Sequence, residues 1–422
     1  MDFNYLKEIK NFYENNSSLL EIIFILGNTT CDIDSALSSY MLSIGENIKC
    51  GTIHLSKKGK PSLNTNSTII YLPVLNIQRG TLHHRIDVKY IFDKFQIDEN
   101  DFWCVSDPVF DQHNLFKYKN SENKNIKTSL ILVDHSILTE EEKYLVDYVV
   151  NIYDHHLLTN YSGLYKNLKK MNIRYPIGSC TTLILHDFFC MQKEEDFPIK
   201  IISPLLAVSA ILIDTKKFSE EFYGNRWVDL DKKVYKFLKK IIKDEYKGIK
   251  LKEYFKEIKD IKHDVQKNLE LGIEALLSKD QKTFSWEHKK SIWSSFPVSY
   301  FDITKKYGNE KLYENFMKYY SGKSEEEQKD IFYITNSSIN KKEKLFTIFN
   351  PFNLPFTKEQ IKDEIKKNNE NDNFSVEIEK INVNGKINGE ICNIILPDTY
   401  SRKSFEPILK KFFCNLKRSN FI

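Results

Sequence analysis

Four short apolar runs that end near acidic residues constrain the fold of this 422-residue chain more than any other feature. Short β-branched runs that alternate with longer amphipathic stretches are typical of βαβ units. The carboxyl ends of parallel strands meet at one edge of a sheet, where ligands bind. We therefore expect an α/β fold in which several carboxylates share that edge. The runs and their acids are 22–26 before Asp32 and Asp34, 130–133 before Asp134, 149–153 before Asp154, and 205–213 before Asp214.

The same alternation predicts the individual elements of a mainly parallel sheet flanked by helices. Three stretches have helical character and open with Ser, Thr or acidic residues that suit a helix N-terminus. They are residues 35–43, 140–146 and 181–190. The predicted strands are residues 21–26, 67–72, 101–105, 129–133, 148–153 and 211–213.

Length and composition predict a second domain. A chain of 422 residues, 41% of them hydrophobic, exceeds what one hydrophobic core usually supports. From residue 231 to 264 the sequence becomes rich in lysine, and new strand-like runs follow at 346–349 and 391–396. We expect a larger α/β domain over residues 1–222 and a smaller α+β domain over residues 223–422.

Composition also bears on partners and location. The chain carries 62 Lys and Arg against 58 Asp and Glu, and this net charge of +4 gives no global signal for nucleic-acid binding. Its seven cysteines are scattered and never spaced as Cys-x-x-Cys, so neither a disulfide framework nor a zinc ribbon is expected. The first residues do not resemble a signal peptide, and no apolar run approaches the roughly 20 residues that span a bilayer. We expect a cytoplasmic protein without nucleic-acid or membrane partners.

Asp154, His155 and His156 stand directly after a strand-like run, where a carboxylate and two imidazoles reach the sheet edge. A single acid after a strand is ordinarily a turn or helix-capping residue. Several carboxylates in one crevice, however, repel each other unless cations neutralise them. Carboxylate oxygens mixed with imidazole suit Mg²⁺, Mn²⁺ or Co²⁺. The pattern therefore predicts a site for two hard divalent cations.

Four motifs in the chain together resemble the DHH phosphoesterase superfamily. Their order matches that superfamily and is similar to its exopolyphosphatase branch, which includes the prune-type phosphodiesterases and is related to the manganese-dependent family II inorganic pyrophosphatases. The resemblance covers both predicted domains and implies an active site in the cleft between them. The motifs are Gly27-Asn28-Thr29-Thr30-Cys31-Asp32-Ile33-Asp34-Ser35, Val133-Asp134-His135, Asp154-His155-His156 and Leu212-Ile213-Asp214-Thr215.

The resemblance implies a ligand set for two cations, with Asp134 as the bridge between them. Asn28 stands where the pyrophosphatases of the superfamily have a metal-binding histidine and where the exopolyphosphatase branch has asparagine. It therefore favours the exopolyphosphatase branch and implies a first site that is weaker or completed by water. The implied ligands are Asp32 and Asp134 for the first cation, with Asn28 as a candidate additional ligand, and Asp34, Asp134, His155 and Asp214 for the second.

Neighbouring residues have implied or alternative roles. Asp154 would orient both imidazoles, and His156 would face the phosphate and stabilise its developing charge. His135 either holds a carboxylate or phosphate in place or is a packed histidine. Asp107 follows a strand-like run but matches no ligand motif, so we predict a turn residue there.

Phosphoryl transfer also needs fixed cations beside the non-bridging oxygens. The resemblance assigns this role to Arg402 and Lys403 of a Ser-Arg-Lys motif and, with less specificity, to Lys282. Arg79 and Arg85 lie in a segment typical of the exopolyphosphatase and prune branch. Each of these two arginines either binds phosphate through its guanidinium or pins its loop to an acidic neighbour.

Two further segments each allow two interpretations. Gly178-Ser179-Cys180-Thr181-Thr182 resembles the superfamily's helix-opening segment behind the metal site, where backbone amides hold an anion or simply cap a helix. The lysine-rich residues 232–262 either draw a polyanion toward the site or form the solvated faces of helices.

The resemblance implies a metal-dependent exopolyphosphatase in which water activated by two divalent cations, Mn²⁺ or Mg²⁺ with Co²⁺ as an alternative, attacks the terminal phosphate of inorganic polyphosphate. Inorganic pyrophosphatase or tripolyphosphatase activity and prune-like hydrolysis of cyclic nucleotides are the enzymatic alternatives. A scaffold or binding protein with a vestigial site is the non-enzymatic alternative. Intact acids at every metal motif argue against it.

Overall fold

The structure of the protein is a computed structural model that forms two compact units, Met1–Ile261 and Lys262–Ile422. Among the residues that the structure describes, no helix is both long enough and apolar enough to cross a membrane. The structure describes residues 4–16, 18–56, 61–112, 115, 126–157, 163–190, 202–287, 289–318, 320–322, 324, 328, 330–339, 342–351, 354–368, 374–383, 386–397, 400 and 402–415.

A six-stranded parallel sheet forms the centre of the first unit. The strands of this unit are β1 (Glu21–Leu26), β2 (Ile53–Leu55), β3 (Pro61–Leu63), β4 (Ile69–Leu75), β5 (Trp103–Cys104), β6 (Lys127–Val133), β7 (Val149–Asp154) and β8 (Lys170–Ile173). The sheet order is β5-β4-β1-β6-β7-β8, and every neighbouring pair is parallel. β2 and β3 form a separate antiparallel pair. Five of the six predicted strands in this unit are confirmed, with shifts at their ends.

Strand β1 lies at the switch point of the sheet. The chain adds β4 and β5 on one side of β1 and then returns to add β6, β7 and β8 on the other. In parallel α/β sheets, ligands bind at such a point, outside the carboxyl ends of the strands. Asp32 and Asp34 follow β1, and Asp134 follows β6. The topology therefore brings the acids of two motifs to one crevice.

Helices accompany this sheet over both predicted and new segments. The predicted helix at 35–43 is longer than expected and forms α2, whereas 140–146 lies within a 3₁₀-helix, Glu140–Tyr148. The predicted helix at 181–190 divides into α4 and a π-helical turn, His186–Cys190. The α-helices are α1 (Tyr5–Asn15), α2 (Ile33–Lys49), α3 (Ile86–Lys94), α4 (Cys180–Leu185), α5 (Pro204–Asp214), α6 (Asp229–Glu245) and α7 (Leu251–Lys262).

Residues 211–213 belong to α5, so the prediction of a strand there is wrong. Ser203 caps this helix by accepting a hydrogen bond from the backbone nitrogen of Leu206, and Pro204 occupies the first turn, where its missing N–H costs nothing. All but the last two residues of α5 are buried. The run therefore lacks the polar positions that distinguish a helix from a buried strand in a sequence. Asp214 stands at the end of a helix rather than at the end of a strand.

Helices α6 and α7 extend the first unit beyond residue 222, where the sequence analysis expected a boundary. Val234 and Leu238 of α6, with Tyr254 and Ile258 of α7, lie in the same hydrophobic core as the parallel sheet. Because these apolar positions alternate with lysines at helical spacing, the lysine-rich composition marks the outer faces of two amphipathic helices. The compact units divide after Ile261.

A mixed six-stranded sheet forms the centre of the second unit. Its strands are β9 (Gln281–Trp286), β10 (Lys289–Ser295), β11 (Ile331–Ser338), β12 (Glu343–Asn350), β13 (Ser375–Val383) and β14 (Lys386–Pro397), in the order β13-β14-β12-β11-β10-β9. β10 and β11 are parallel, and the other described pairs are antiparallel. The predicted strands at 346–349 and 391–396 are thereby confirmed. The helices are α8 (Val265–Glu270), α9 (Ile273–Ser278), α10 (Tyr300–Tyr307), α11 (Asn309–Lys318), α12 (Lys358–Lys367) and α13 (Arg402–Asn415).

Candidate metal centre

Asp134, His155 and His156 lie in contact at the predicted site. The Oδ1 atom of Asp134 is 3.1 Å from Nε2 of His155 and 3.9 Å from Nδ1 of His156. The Nε2 atom of His155 is also 3.7 Å from Oδ2 of Asp34. Ligand atoms of Asp134, His155 and His156 all lie within 4.8 Å of one another. The structure thus brings together residues of three of the four motifs.

The ring of His155 is fixed in the orientation that a metal ligand needs. Its Nδ1 atom is 2.9 Å from the carbonyl oxygen of Ile177, which can only accept, so Nδ1 carries the hydrogen. In the neutral ring, Nε2 then presents its lone pair toward Asp134 and Asp34. A backbone carbonyl is one of the usual partners behind a ligating imidazole. Two carboxylates and a ring lone pair face one another here, and a divalent cation satisfies such an arrangement.

Crowded carboxylates give the site strongly perturbed proton affinities. Burial and the neighbouring carboxylate of Asp34 raise the pKa of Asp134 well above its usual range. Although burial opposes a charge on His155, the carboxylates of Asp134 and Asp34 raise its pKa to about 10. Oδ1 of Asp134 is buried and has no hydrogen-bond partner among the described residues. These are properties of ligands that exchange protons for cations when a metal binds.

Asp34 is held by the segment that opens α4. Its Oδ1 accepts hydrogen bonds from Oγ of Ser179 at 2.7 Å and from the backbone nitrogen of Thr181 at 2.8 Å, and its Oδ2 accepts one from the backbone nitrogen of Cys180 at 2.6 Å. The amides of this segment therefore hold an anion, and that anion is the side chain of Asp34. A carboxylate oxygen that accepts one hydrogen bond retains a lone pair. Asp34 is thus oriented and still able to bind a cation through Oδ2.

Asn28 presents its amide nitrogen, not its oxygen, to Asp134. Its Oδ1 accepts hydrogen bonds from the backbone nitrogens of Thr30 and Cys31 at 2.9 and 3.1 Å. Because backbone nitrogens can only donate, these bonds fix the amide, and Nδ2 donates to Oδ2 of Asp134 at 2.6 Å. The sequence predicts Asn28 as a candidate ligand of the first cation. In this structure it orients Asp134 instead.

Asp32 and Asp214 complete the acidic surroundings of the site. Asp32 caps α2, since its Oδ1 accepts a hydrogen bond from the backbone nitrogen of Ser35 at 3.0 Å. Asp214 is half-buried at the end of α5. Burial and the carboxylates of Asp34 and Asp32 raise its pKa well above the usual range. Asp214 therefore lies within electrostatic reach of the same acids, although a helix and not a strand delivers it.

Asp154 orients the ring of His156, whereas Ile177 orients the ring of His155. Oδ1 of Asp154 accepts hydrogen bonds from Nδ1 of His156 at 2.8 Å and from the backbone nitrogens of His155 and His156 at 2.8 and 3.1 Å. Burial opposes the charge of Asp154, but these bonds outweigh it and lower its pKa. Since Nδ1 of His156 is engaged by Asp154, Nε2 is the atom through which this ring can meet a substrate.

Two residues of the site have left-handed backbone conformations. Cys31, in the loop after β1, has φ of 43°, and Asp134 has φ of 62°. This conformation costs a residue with a side chain roughly 1–2 kcal/mol. Such strain tends to cluster at functional sites, where the surrounding structure maintains it. Here it turns the chain sharply at the two loops that deliver the acids.

Asp231, which the sequence analysis missed, supports the site from α6. It is fully buried, and it fixes the segment that carries the Ile177 carbonyl and the amides that hold Asp34. An acid in the first turn of a helix is so common that it gave no signal in the sequence. Its carboxylate accepts hydrogen bonds from the backbone nitrogens of Gly178 and Val228, both at 2.9 Å, and from Oγ1 of Thr182 at 2.7 Å.

Arg79 pins its loop to Asp107. Its Nε and Nη2 atoms donate to the two carboxylate oxygens of Asp107, both at 2.7 Å, and Nη2 also donates to the carbonyl of Phe102 at 2.8 Å. Asp107 in turn accepts a hydrogen bond from the backbone nitrogen of Cys104 at 2.9 Å, as a turn residue does. Of the two interpretations left open for Arg79, the geometry favours the loop pin over phosphate binding.

Arg85 and His135 are buried or half-buried polar residues with groups left unsatisfied. Arg85 is 7% exposed, and its guanidinium makes no hydrogen bond or ion pair with the part of the chain that the structure describes. It lies near the loop after β1, where its charge opposes the burial that raises the pKa of Cys31 to about 12. His135 lies 3.0 Å from the carbonyl of Val133 through Nδ1, and its buried Nε2 has no partner among the described atoms. A buried cation without a direct ion pair is a candidate anion-binding group.

In the second unit, the predicted residues Arg402 and Lys282 lie on adjoining elements. Arg402 begins α13, and its guanidinium donates to the carbonyl oxygen of Asp280 at 3.0 Å and to its Oδ1 at 2.9 Å. Asp280 immediately precedes β9, the strand that contains Lys282. Arg402 is therefore paired within its own unit. The side chain of Lys403 lies outside the described residues.

The chain is similar in sequence to curated proteins and in fold to a solved structure. No protein-family model matches the chain. Human exopolyphosphatase PRUNE1 is 25% identical over 280 residues, 66% of this chain, and the bovine exopolyphosphatase PRUNE1 is 26% identical over 275 residues, 63% of this chain. A solved structure of a candidate family II inorganic pyrophosphatase from Methanococcus jannaschii covers 93% of this chain and 99% of its own, with a TM-score of 0.52 and 19% identity. The chain is related to the DHH phosphoesterase superfamily.

The sequence matches cover only part of the relatives, whereas the structural match covers nearly the whole chain. The chain spans about half the length of the curated relatives it matches, 52% of the human protein and 50% of the bovine one. At 19% identity, the likeness to the archaeal structure shows the fold, a parallel-sheet unit followed by a mixed-sheet unit. The DHH motifs and the geometry agree on a donor set of carboxylates and one correctly oriented imidazole, and that set fits hard divalent cations.

Proposed function

We propose that this chain is a metal-dependent exopolyphosphatase that releases the terminal orthophosphate from inorganic polyphosphate. The observation that carries the proposal is the contact of 3.1 Å between Nε2 of His155 and Oδ1 of Asp134, two ligand atoms that share a proton in the charged ring and would exchange it for a cation. Such a donor set suits Mn²⁺ or Mg²⁺, and Co²⁺ is also compatible. The names of the human and bovine relatives support the substrate class.

The residues of the first unit are organised to hold two cations. Asn28 fixes one oxygen of Asp134, the α4 segment fixes Asp34, and Ile177 fixes the ring of His155. Groups held this firmly need little rearrangement when a cation binds. When bound, two cations supply an activated water and neutralise phosphate oxygens. The residues that would hold them are Asp32, Asp34, Asp134, His155 and Asp214.

Two side chains of the first unit are suited to meet the phosphate. Asp154 stabilises the charged form of His156, because its carboxylate accepts the Nδ1 hydrogen of that ring. The protonated ring then donates through Nε2 to a phosphate oxygen. Arg85 offers a guanidinium that is largely buried and makes no direct ion pair with a described residue. Both groups neutralise negative charge as the terminal phosphate leaves.

The cations of the second unit keep the roles that the resemblance implies. We propose that Lys282, Arg402 and Lys403 neutralise further non-bridging oxygens of the chain. Arg402 already holds Asp280, so its contribution requires that it bind phosphate through nitrogen atoms that Asp280 leaves open, or exchange one partner for the other. Arg79 is not part of this proposal, because Asp107 occupies its guanidinium.

Inorganic pyrophosphatase is the second candidate, since the archaeal structure with the same fold is described as one. Asn28 favours polyphosphate over pyrophosphate. The resemblance implies a metal-binding histidine at this position in the pyrophosphatases, whereas the amide of Asn28 donates to Asp134 and offers no lone pair to a cation. Cyclic-nucleotide hydrolysis remains a third reaction that the same centre can support.

Phosphate release from four substrates separates these functions. The substrates are pyrophosphate, tripolyphosphate, long-chain polyphosphate and a cyclic nucleotide, each with Mn²⁺, Mg²⁺, Co²⁺ or a chelator. We expect the highest kcat/KM on polyphosphate with Mn²⁺ or Mg²⁺ and no release with the chelator. Higher kcat/KM on pyrophosphate or the cyclic nucleotide would overturn the substrate assignment. No release from any substrate would favour a binding protein with a vestigial site.

A further inference from the structure

A strongly basic groove lies on the outer surface of the first unit. It has a volume of about 670 Å³ and is lined by α6, the start of α7 and the turn that follows α5. Seven of its 14 lining residues are lysines, and none is acidic. Since the whole chain has a net charge of only +4, the groove concentrates positive charge far beyond the average of the chain.

Four of these lysines form a continuous stripe along α6. Lys232, Lys236, Lys239 and Lys243 recur at intervals of four, three and four residues, so they share one face of the helix. The stripe is about 16 Å long at 1.5 Å per residue. Like charges at this spacing destabilise a helix. A bound polyanion would remove that repulsion.

The stripe has little counter-charge of its own. Lys236 and Lys243 form no ion pair with any residue that the structure describes. Lys232 has a partner in Glu220, but the nitrogen and oxygen are 3.7 Å apart and the glutamate is 79% exposed. Exposed pairs of this kind contribute little to stability. A phosphate chain that binds these lysines therefore has few ion pairs to displace.

Lys217 joins the groove from a strained turn. Lys216, Lys217 and Phe218 have consecutive φ angles of 46°, 55° and 60°, in the left-handed region that is unfavourable for residues with side chains. Strain of this kind persists where the surrounding structure maintains it, and it clusters at ligand sites. The turn begins two residues after Asp214. One end of the groove therefore adjoins the helix end that carries a predicted metal ligand.

Two of the three aromatic rings that line the groove, those of Phe218 and Tyr235, pack against other side chains of the protein. The ring of Phe218 packs against those of Trp227 and Tyr235, with centroids 5.4 and 4.8 Å apart. Lys239 lies over the ring of Tyr235 at 6.0 Å. Proteins that bind single-stranded nucleic acids stack bases on free aromatic faces. The groove instead offers ammonium groups, which act as point charges for phosphate.

We propose that this groove binds the body of an inorganic polyphosphate chain, at a site separate from the metal centre. The inference rests on the proposed function for the identity of the ligand, and it adds a second point of attachment in the same unit. A ligand held at two points binds more tightly than at either point alone, provided that it spans both. The groove would thus favour long chains over short ones.

Direct binding to the full chain tests the groove without catalysis. The probe is fluorescently labelled long-chain polyphosphate, measured by anisotropy in the presence of EDTA, so that metal-bound phosphate does not contribute. The test variant combines Lys236→Gln, Lys239→Gln and Lys243→Gln. The control combines Lys233→Gln, Lys247→Gln and Lys259→Gln, which removes the same charge from exposed positions outside the groove. Circular dichroism confirms that both variants fold.

We expect the groove variant to bind polyphosphate about tenfold or more weakly and the control to bind within twofold of the wild type. The slope of log Kd against log salt should fall by roughly 2, taking about 0.7 per lost phosphate contact as for single strands. Unchanged binding by the groove variant, or equal loss in both variants, would overturn the inference. Tighter binding of an oligouridylate of equal charge would overturn the choice of polyphosphate as ligand.

Phosphate release with Mn²⁺, measured in parallel, separates this inference from the proposed function. Groove-dependent binding in a wild-type chain that hydrolyses nothing would contradict the proposed function and leave the groove supported. Hydrolysis of polyphosphate by a chain whose binding ignores the groove would contradict the inference and leave the function supported.

Discussion

The carboxylate of Asp231 accepts a hydrogen bond of 2.9 Å from the backbone nitrogen of Gly178, and this bond ties α6 to the segment behind the candidate metal centre. Removing such outer partners of ligands typically costs 10–100-fold in metal affinity. We therefore expect Asp231→Ala to weaken Mn²⁺ binding about tenfold or more, because the Ile177 carbonyl no longer holds His155 firmly. Asp229→Ala, at an exposed position in the same helix turn, is the control. Isothermal titration that gives both variants equal Mn²⁺ affinity would show that Asp231 has no positioning role.

Asn28→Asp should make the protein less stable without metal and more responsive to metal. The new carboxylate retains acceptors for the loop amides but loses the donor that now lies 2.6 Å from Asp134. Two carboxylates at that distance repel each other, whereas a cation between them is stabilised by both. Thermal unfolding with EDTA and with Mn²⁺ measures the effect. We expect a lower midpoint in EDTA than for the wild type and a larger rise with Mn²⁺, and an unchanged midpoint in EDTA would contradict the assigned orientation of Asn28.

Arg85 and Arg79 should respond differently to the same substitution. Arg85→Gln removes a buried charge that makes no direct ion pair with a described residue. We expect KM for polyphosphate and the inhibition constant of orthophosphate to rise roughly tenfold or more. A loss of this size corresponds to one hydrogen bond to a charged group. Arg79→Gln breaks a loop pin with Asp107 and should lower stability by about 1 kcal/mol with little change in KM. Steady-state kinetics and denaturant unfolding of both variants measure the contrast. Equal effects on KM would refute the distinction between the two arginines.

Asp154→Asn should separate turnover from metal binding. The substitution removes the carboxylate that stabilises a charged His156, but the ring of His155 keeps its partner at Ile177. We expect kcat to fall roughly 100-fold, within the usual contribution of a positioned proton donor, while the number of Mn²⁺ ions bound per chain stays unchanged. Inductively coupled plasma analysis of the folded variant checks the metal. Loss of metal together with activity would place Asp154 in the support of His155 as well.

The parallel sheet and its acidic edge were predictable from the sequence because the strands are short β-branched runs and the acids follow them directly. Helix α5 was not predictable from the sequence. A run that is buried on every side has no polar positions to reveal the helical repeat of 3.6 residues. Ser203 and Pro204, an N-cap and a first-turn proline, were the local signals that favour a helix there. The end of the first unit was also missed, because α6 and α7 pack on the sheet through residues remote from it in sequence.

The candidate site shows the same division between local and long-range information. The triplet of Asp154, His155 and His156 was visible in the sequence, and so were the acids of the other motifs. The partners that orient them were not, because the hydrogen bonds that Ile177 accepts from His155 and that Asp231 accepts from Gly178 join distant segments. The different roles of Arg79 and Arg85 also depend on the fold. The carboxylate of Asp107 pairs with Arg79, whereas no described carboxylate forms an ion pair with Arg85.

The number of Mn²⁺ ions bound per chain tests the proposed dinuclear centre most directly. Equilibrium dialysis of the wild type should give two ions per chain, with phosphate released from polyphosphate in the same preparation. Asp134→Asn removes the carboxylate that faces His155 and is predicted to bridge both ions. This variant, folded as judged by circular dichroism, should bind at most one ion and release phosphate roughly 100-fold or more slowly. A folded Asp134→Asn variant that binds two ions and hydrolyses polyphosphate at the wild-type rate would contradict the account.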